Sequence, residues 1–198
     1  MLAASVLIVT ALAAAPLLAE SPLHLTVRLY NSSALTSAQV QLARHAAAPI
    51  MEDAGLDVTF RLCGSAPSAT GVLDRCDDVV KPGEVVVRII DAPVFNVAVD
   101  PRALGVSYVV TATNSGWLAT VFGDRIVPAA TRLGMDSGAL MGLVVAHEVG
   151  HLLLGDHSHG ERGVMTAEWS DERLRQAPLK WRFSREEAAA IQARLLER

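Results

Sequence analysis

The sequence predicts a mixed α/β (α+β) domain: a twisted mixed sheet, a long apolar helix beneath it that carries a histidine cluster, and a small C-terminal part. Three observations lead there. Stretches with strand alternation and stretches with helical spacing take turns along the chain, with no internal repeat and no long linker. Of the 198 residues, 51% are hydrophobic and 19% charged, a composition that builds a packed core and excludes a disordered chain. Acidic and basic residues are interleaved and sum to a net charge of −4, which leaves no basic face for DNA or RNA.

Residues 2 to 19 are uncharged and almost entirely apolar, ending in Ala19. That pattern predicts a secretory signal peptide over 1–19 and a single domain over 20–198, in a secreted or periplasmic protein. The segment has no Lys or Arg near its start, and Leu17 stands three residues before the cut. A retained anchor is therefore the alternative, and the only route to a membrane.

Leu23 to Tyr30 alternates as a strand. Thr36 then caps a helix, with Gln39 completing a capping box and Leu35 and Val40 in the staple positions; the helix runs toward Gly55, with Pro49 bending it. Leu56 to Leu62 and Glu84 to Ile90 read as further strands. Between them, Cys63 and Cys76 flank a Gly/Ser/Ala/Pro/Thr-rich loop. Export lets them pair, and a disulfide closing a loop of this size stabilises by about 3 kcal/mol. In a cytosolic protein they would be two free thiols.

From Gly105 to Val127, two apolar stretches around Asn114-Ser115-Gly116 predict an antiparallel hairpin ending near Ile126. The next helix starts at Asp136 or Ser137 and runs to Leu154, stopped by Gly155. Trp169, Trp181 and Phe183 read as core, and Ser184 with Glu187 forms a capping box for a last helix to Leu196, with Ala188, Ile191 and Leu195 on its apolar stripe.

The long helix carries the chemistry. His147, Glu148 and His151 form H-E-x-x-H, and four of the six histidines fall between 147 and 159. Residues four apart share a helix face, so both imidazoles reach one Zn²⁺ at about 2.0–2.1 Å, with Glu148 beside the water of the fourth position. The plainer reading is a buried helix whose histidines are simply hydrogen-bonded. A zinc hydrolase needs a third ligand, and His157, His159 and the carboxylates Glu168, Asp171 and Glu172 all stand downstream. Gly150, inside the motif, costs about 1 kcal/mol of helix propensity relative to Ala and points to close packing against a neighbouring element.

The run H-E-V-G-H-L-L-L-G-D-H-S-H from His147 to His159, followed by Gly163-Val164-Met165, resembles the metzincin metallopeptidases. Their motif H-E-x-x-H-x-x-G-x-x-H precedes a tight turn with a Met beneath the metal. The run is also similar to small secreted bacterial proteins taken for metalloproteases that read H-E-[IL]-G-H-L-L-L-G, then H-S, then G-I-M. The resemblance implies a metzincin-like fold with His147 and His151 as zinc ligands, Glu148 as general base and Met165 as the Met-turn residue. One departure matters: Leu154 stands where the Gly belongs, and Gly155 comes one residue late. His157 keeps the metzincin distance, but the late glycine moves the turn, and the similar proteins keep the His that matches His159. His159 is therefore the expected third ligand and His157 its competitor, while Glu168, Asp171 or Glu172 would make the site gluzincin-like.

The function expected from this is a secreted, monomeric zinc endopeptidase. In the families the chain resembles, an extended peptide pairs with the edge strand above the cleft, which implies a peptide or protein substrate along part of Gly105 to Phe122; the plainer reading of that segment is a hairpin that closes the sheet. The alternatives are a gluzincin-type peptidase, a zinc hydrolase of a non-protein substrate, and a non-catalytic zinc-stabilised binding protein, which would have no need of Glu148. No propeptide is expected, and no cysteine stands where it could mask a zinc.

Overall fold

β1 (Leu23–Asn31), β2 (Leu56–Cys63), β3 (Glu84–Ile90), β4 (Gly105–Val110) and β5 (Ser115–Phe122) form one sheet in the order β2-β1-β3-β5-β4. The first four in that order run parallel and β4 is antiparallel to β5, which makes β4 an edge strand. Four helices accompany them among the described residues: α1 (Ser37–Glu52), α2 (Gly123–Leu133), α3 (Ser137–Leu154) and α4 (Arg185–Leu196). The computed structural model describes residues 22–64, 76–91, 100–167 and 181–197, together with Trp169 and Glu172. The expected signal peptide over 1–19 lies outside them.

Register explains the core. Leu25, Val27 and Leu29 of β1 share a face with Val85, Val87 and Ile89 of β3 and with Ala119 and Val121 of β5, and all are buried. These β-branched and aliphatic side chains suit a sheet surface covered by helices. α1 begins as its sequence dictates: Thr36 accepts from the Gln39 amide at 3.3 Å, and the Gln39 side chain accepts from the Thr36 amide at 2.9 Å. Pro49 lies inside this helix, which ends at Glu52.

α3 is apolar all round, and every residue except Ser137 and Ala139 is buried. By length and composition it could cross a membrane, yet 89% of it is buried within the fold, so it serves as the core helix. It lies close against α1, since a Cβ on Gly142 would come within 2.6 Å of the Ala43 carbonyl oxygen.

The hairpin does not extend to Ile126. β5 ends at Phe122 and α2 begins at once, an element that the apolar run VFGDRIV conceals. Ile126, Ala129, Ala130 and Leu133 recur at helical spacing and pack into the core, and this burial outweighs the Pro128 inside the helix. The turn also falls slightly earlier than Asn114-Ser115-Gly116 suggests: Asn114, with φ 46°, closes it, and Ser115 and Gly116 already belong to β5.

On the opposite face of the sheet, Arg28 is 1% exposed. Its guanidinium donates to the Asp78 carbonyl at 2.7 Å, the Asp78 carboxylate at 3.1 Å and the Val79 carbonyl at 3.2 Å, and it also pairs with Glu84. The disulfide Cys63–Cys76, with Cα atoms 5.6 Å apart, joins the end of β2 to the start of this segment, where Tyr30 also donates to the Cys76 carbonyl at 2.9 Å.

Candidate metal centre

α3 is held at both ends. Asp136 caps its start by accepting from the Ala139 amide at 2.9 Å. Gly155 ends it at φ 68°, a left-handed conformation that favours glycine. A side chain there would also strike the Asn114 carbonyl of the β4–β5 turn, so both backbone conformation and packing require glycine.

Within this frame His147 and His151 sit one helical turn apart with their Nε2 atoms 3.1 Å from each other. His147 donates its Nδ1–H to the Val164 carbonyl at 2.8 Å, and His151 donates its own to the Asp156 carbonyl at 3.1 Å. Carbonyls only accept, so each Nδ1 carries the proton and each Nε2 presents a bare lone pair. Two lone pairs at that separation repel unless a cation lies between them. Tetrahedral zinc with bonds of about 2.0–2.1 Å would hold its nitrogens roughly 3.3 Å apart, close to what is found. Backbone carbonyls orienting the ligands from behind are the usual support of such a site.

The chain then turns back. Asp156 accepts from the Ser158 amide at 3.0 Å and from its hydroxyl at 2.6 Å, a short Asx turn that reverses the direction after Gly155. The reversal brings the His159 ring to 5.4 Å from that of His147 and 4.8 Å from that of His151. Ligand atoms of His147, His151 and His159 all lie within 4.8 Å of one another, the first two buried and His159 exposed. The His157 ring stands 5.9 Å from that of His151 and does not join this trio. Glu172 is exposed and apart from it, while Glu168 and Asp171 lie outside the described residues.

Burial sets the protonation of the pair. It holds the His151 imidazole down to about 4, helped by the neighbouring His147 and His159, and it also lowers His147 against the opposing effect of the Val164 carbonyl. Neutral imidazoles are the form that binds a metal.

Glu148 faces β4. Its Oε2 lies 2.5 Å from the Ser107 hydroxyl, which is also 2.7 Å from the Glu148 carbonyl. Its Oε1 lies over Gly105, where a Cβ would come within 2.7 Å of it. Burial pushes this carboxyl up to about 7, although the Ser107 hydrogen bond works in the opposite direction. A cavity of about 400 Å³ opens onto His147, Glu148, His151 and His159, with Leu104 and Leu133 among its apolar lining.

Met165 is fully buried, and its Sδ together with the Phe183 ring occupies the space where a side chain on Gly150 would stand. It belongs to a tight loop in which the Gly160 amide donates to the Met165 carbonyl at 2.9 Å and Gly163 has φ 79°. Trp169 meets the edge of His147 at 5.3 Å and packs on Trp181. Sequence reasoning did not single out Ser107 or Gly105 as site residues. The one available signal was two small residues in a strand that otherwise carries Val and Tyr.

No protein-family model and no curated protein sequence matches the chain. Among solved structures it is similar to archaemetzincin from Methanopyrus kandleri, at 16% identity and a TM-score of 0.54 over 88% of this chain and 97% of that one. It is also similar to metalloproteinase-II from Bacteroides fragilis, at 16% identity and a TM-score of 0.49 over 89% of this chain and 53% of that one. The mixed five-stranded α/β architecture of the chain therefore has a likeness of fold to archaemetzincin.

Proposed function

We propose that the chain is a secreted zinc-dependent endopeptidase in which His147, His151 and His159 hold the metal and Glu148 is the general base. The observation that carries this reading is the pair of bare Nε2 lone pairs 3.1 Å apart, each Nδ1 committed to a backbone carbonyl, with a third imidazole beside them. Bound zinc would supply a water of pKa about 7 and polarise the scissile carbonyl. Glu148 takes the proton of the attacking water and passes it to the leaving amine. The β4 edge gives an extended peptide backbone a strand to pair with, beside the cavity that Glu148 lines. The disulfide fits an oxidising compartment and supports secretion.

The test is made on purified protein loaded with zinc. It should bind about one zinc per chain and cleave peptides in a mixed library, and Glu148→Gln should keep the zinc while losing activity by a factor of at least about 100. A protein that takes up no zinc, or a Glu148→Gln variant as active as the parent, would overturn the reading.

A further inference from the structure

We infer that Ser107 is the positioning residue of Glu148: its hydroxyl anchors Oε2, and the glycine at 105 leaves Oε1 the room to take the proton. This rests on Glu148 being the general base.

The argument begins with β4 as an edge strand. Gly105 and Ser107 are two apart, so they face the same side of the sheet, and that side meets the middle of α3. Gly105 confronts the Glu148 side chain at its carboxyl end, where any Cβ would come within 2.9 Å of Cγ, Cδ and Oε1 alike. Ser107, 5% exposed, confronts the other oxygen. The two oxygens of one carboxylate thus have different surroundings, a donor on one side and a side-chain-free backbone on the other.

The hydroxyl carries one proton and stands between two acceptors. One is the Glu148 backbone carbonyl at 2.7 Å, which sits inside α3, where the helical ladder supplies it a donor. The other is Oε2 at 2.5 Å, a buried carboxylate oxygen for which no other donor is found among the described residues. The backbone carbonyl already has its ladder donor and the carboxyl oxygen has none, so the proton of Ser107 points to Oε2. The carbonyl fixes the position of the hydroxyl, and the hydroxyl fixes the carboxylate. Without that bond the Glu148 carboxyl has no other side-chain hydrogen-bond partner among the described residues, and it can turn. A misplaced base lowers the rate of proton transfer and leaves metal binding alone, because His147 and His151 are oriented by Val164 and Asp156.

The experiment compares Ser107→Ala and Ser107→Cys with the parent and with Glu148→Gln, each assayed for zinc content, thermal midpoint, kcat and KM on one peptide. Ser107→Cys fills nearly the same space with a weak donor, which separates the hydrogen bond from packing. Both variants should keep one zinc and show kcat lower by about 10- to 100-fold, with KM within about twofold of the parent. In the Glu148→Gln background, Ser107→Ala should cause no further fall. Parental kcat in both zinc-loaded Ser107 variants, or an equal fall in the two backgrounds, would overturn the role of Ser107 while leaving Glu148 as base. Full activity in Glu148→Gln alone would overturn the underlying reading instead.

Discussion

The Sδ of Met165 lies against Gly150, in the space that any larger residue at that position would fill. Two effects of opposite sign meet at Gly150→Ala. Alanine gains about 1 kcal/mol of helix propensity, while forcing a methyl into a packed core costs about 1–3 kcal/mol. The helix and the Met165 loop are both buried, so overpacking should win. The variant should have a thermal midpoint several degrees lower and weaker zinc affinity, because the loop that carries Val164 also orients His147. An unchanged or higher midpoint in calorimetry would mean that Met165 yields freely.

The two downstream histidines should separate cleanly. Only one protein nitrogen is wanted beyond His147 and His151 if a coordination position is to stay open for water. His159→Ala should lower zinc affinity at least about 10-fold by competition with a chelator, while His157→Ala changes it by less than about threefold. The reverse order would move the ligand to His157. Small losses in both would turn attention to Glu168, Asp171 and Glu172.

Metal-free protein carrying Glu148→Gln should weaken on mild acidification; the substitution removes a buried carboxyl whose pKa, raised to about 7, acts with the opposite sign over the same range. Burial lowers the folded-state pKa of His151 to about 4, from 6.5 in an unfolded chain, and His147 shifts the same way. The unfolded state therefore binds protons that the native state refuses. Stability is intact above pH 6.5 and is lost progressively as pH falls toward 4, by on the order of 2–3 kcal/mol for such a shift. Urea midpoints measured on chelated Glu148→Gln protein between pH 7 and 4.5 check this, and a flat profile would contradict it. Zinc-loaded protein should resist the first part of the fall, because the metal competes with the protons.

Cys63 and Cys76 should show no free thiol in denatured, unreduced protein. Reducing the bridge should lower stability by about 3 kcal/mol, the chain-entropy value for a loop of this size. A loss below about 1 kcal/mol would show that the Arg28 cluster alone fastens the segment.

The sequence was most legible where local chemistry decides the outcome. Thr36 with Gln39, and Ser184 with Glu187, announce helix starts because a capping box involves only residues three apart. Gly155 likewise marks a helix end. The two helical histidines follow from periodicity alone. What stayed hidden depends on distant partners. The start of α2 is hidden because Val121, Phe122, Ile126 and Val127 form one apolar run whose period changes midway, so the expected hairpin reaches to near Ile126. Ser107 meets Glu148 across 41 positions, a meeting that only the packing of β4 on α3 brings about. The choice between His157 and His159 turns on the Asx turn at Asp156, which either histidine could follow.

Arg28 belongs to β1, inside the sheet, yet its guanidinium donates to Asp78 and Val79 and pairs with Glu84, all beyond Cys76. A guanidinium enclosed to 1% exposure cannot lose its water before those acceptors arrive, because an unpaired buried charge costs several kcal/mol. The consequence is a coupling between distant parts of the chain. The outer face of β1 is closed only with the segment beyond Cys76 docked on it, and the same docking sets Cys76 beside Cys63 at a separation that a disulfide spans without backbone movement. Buried charge and cross-link thus hold one and the same arrangement.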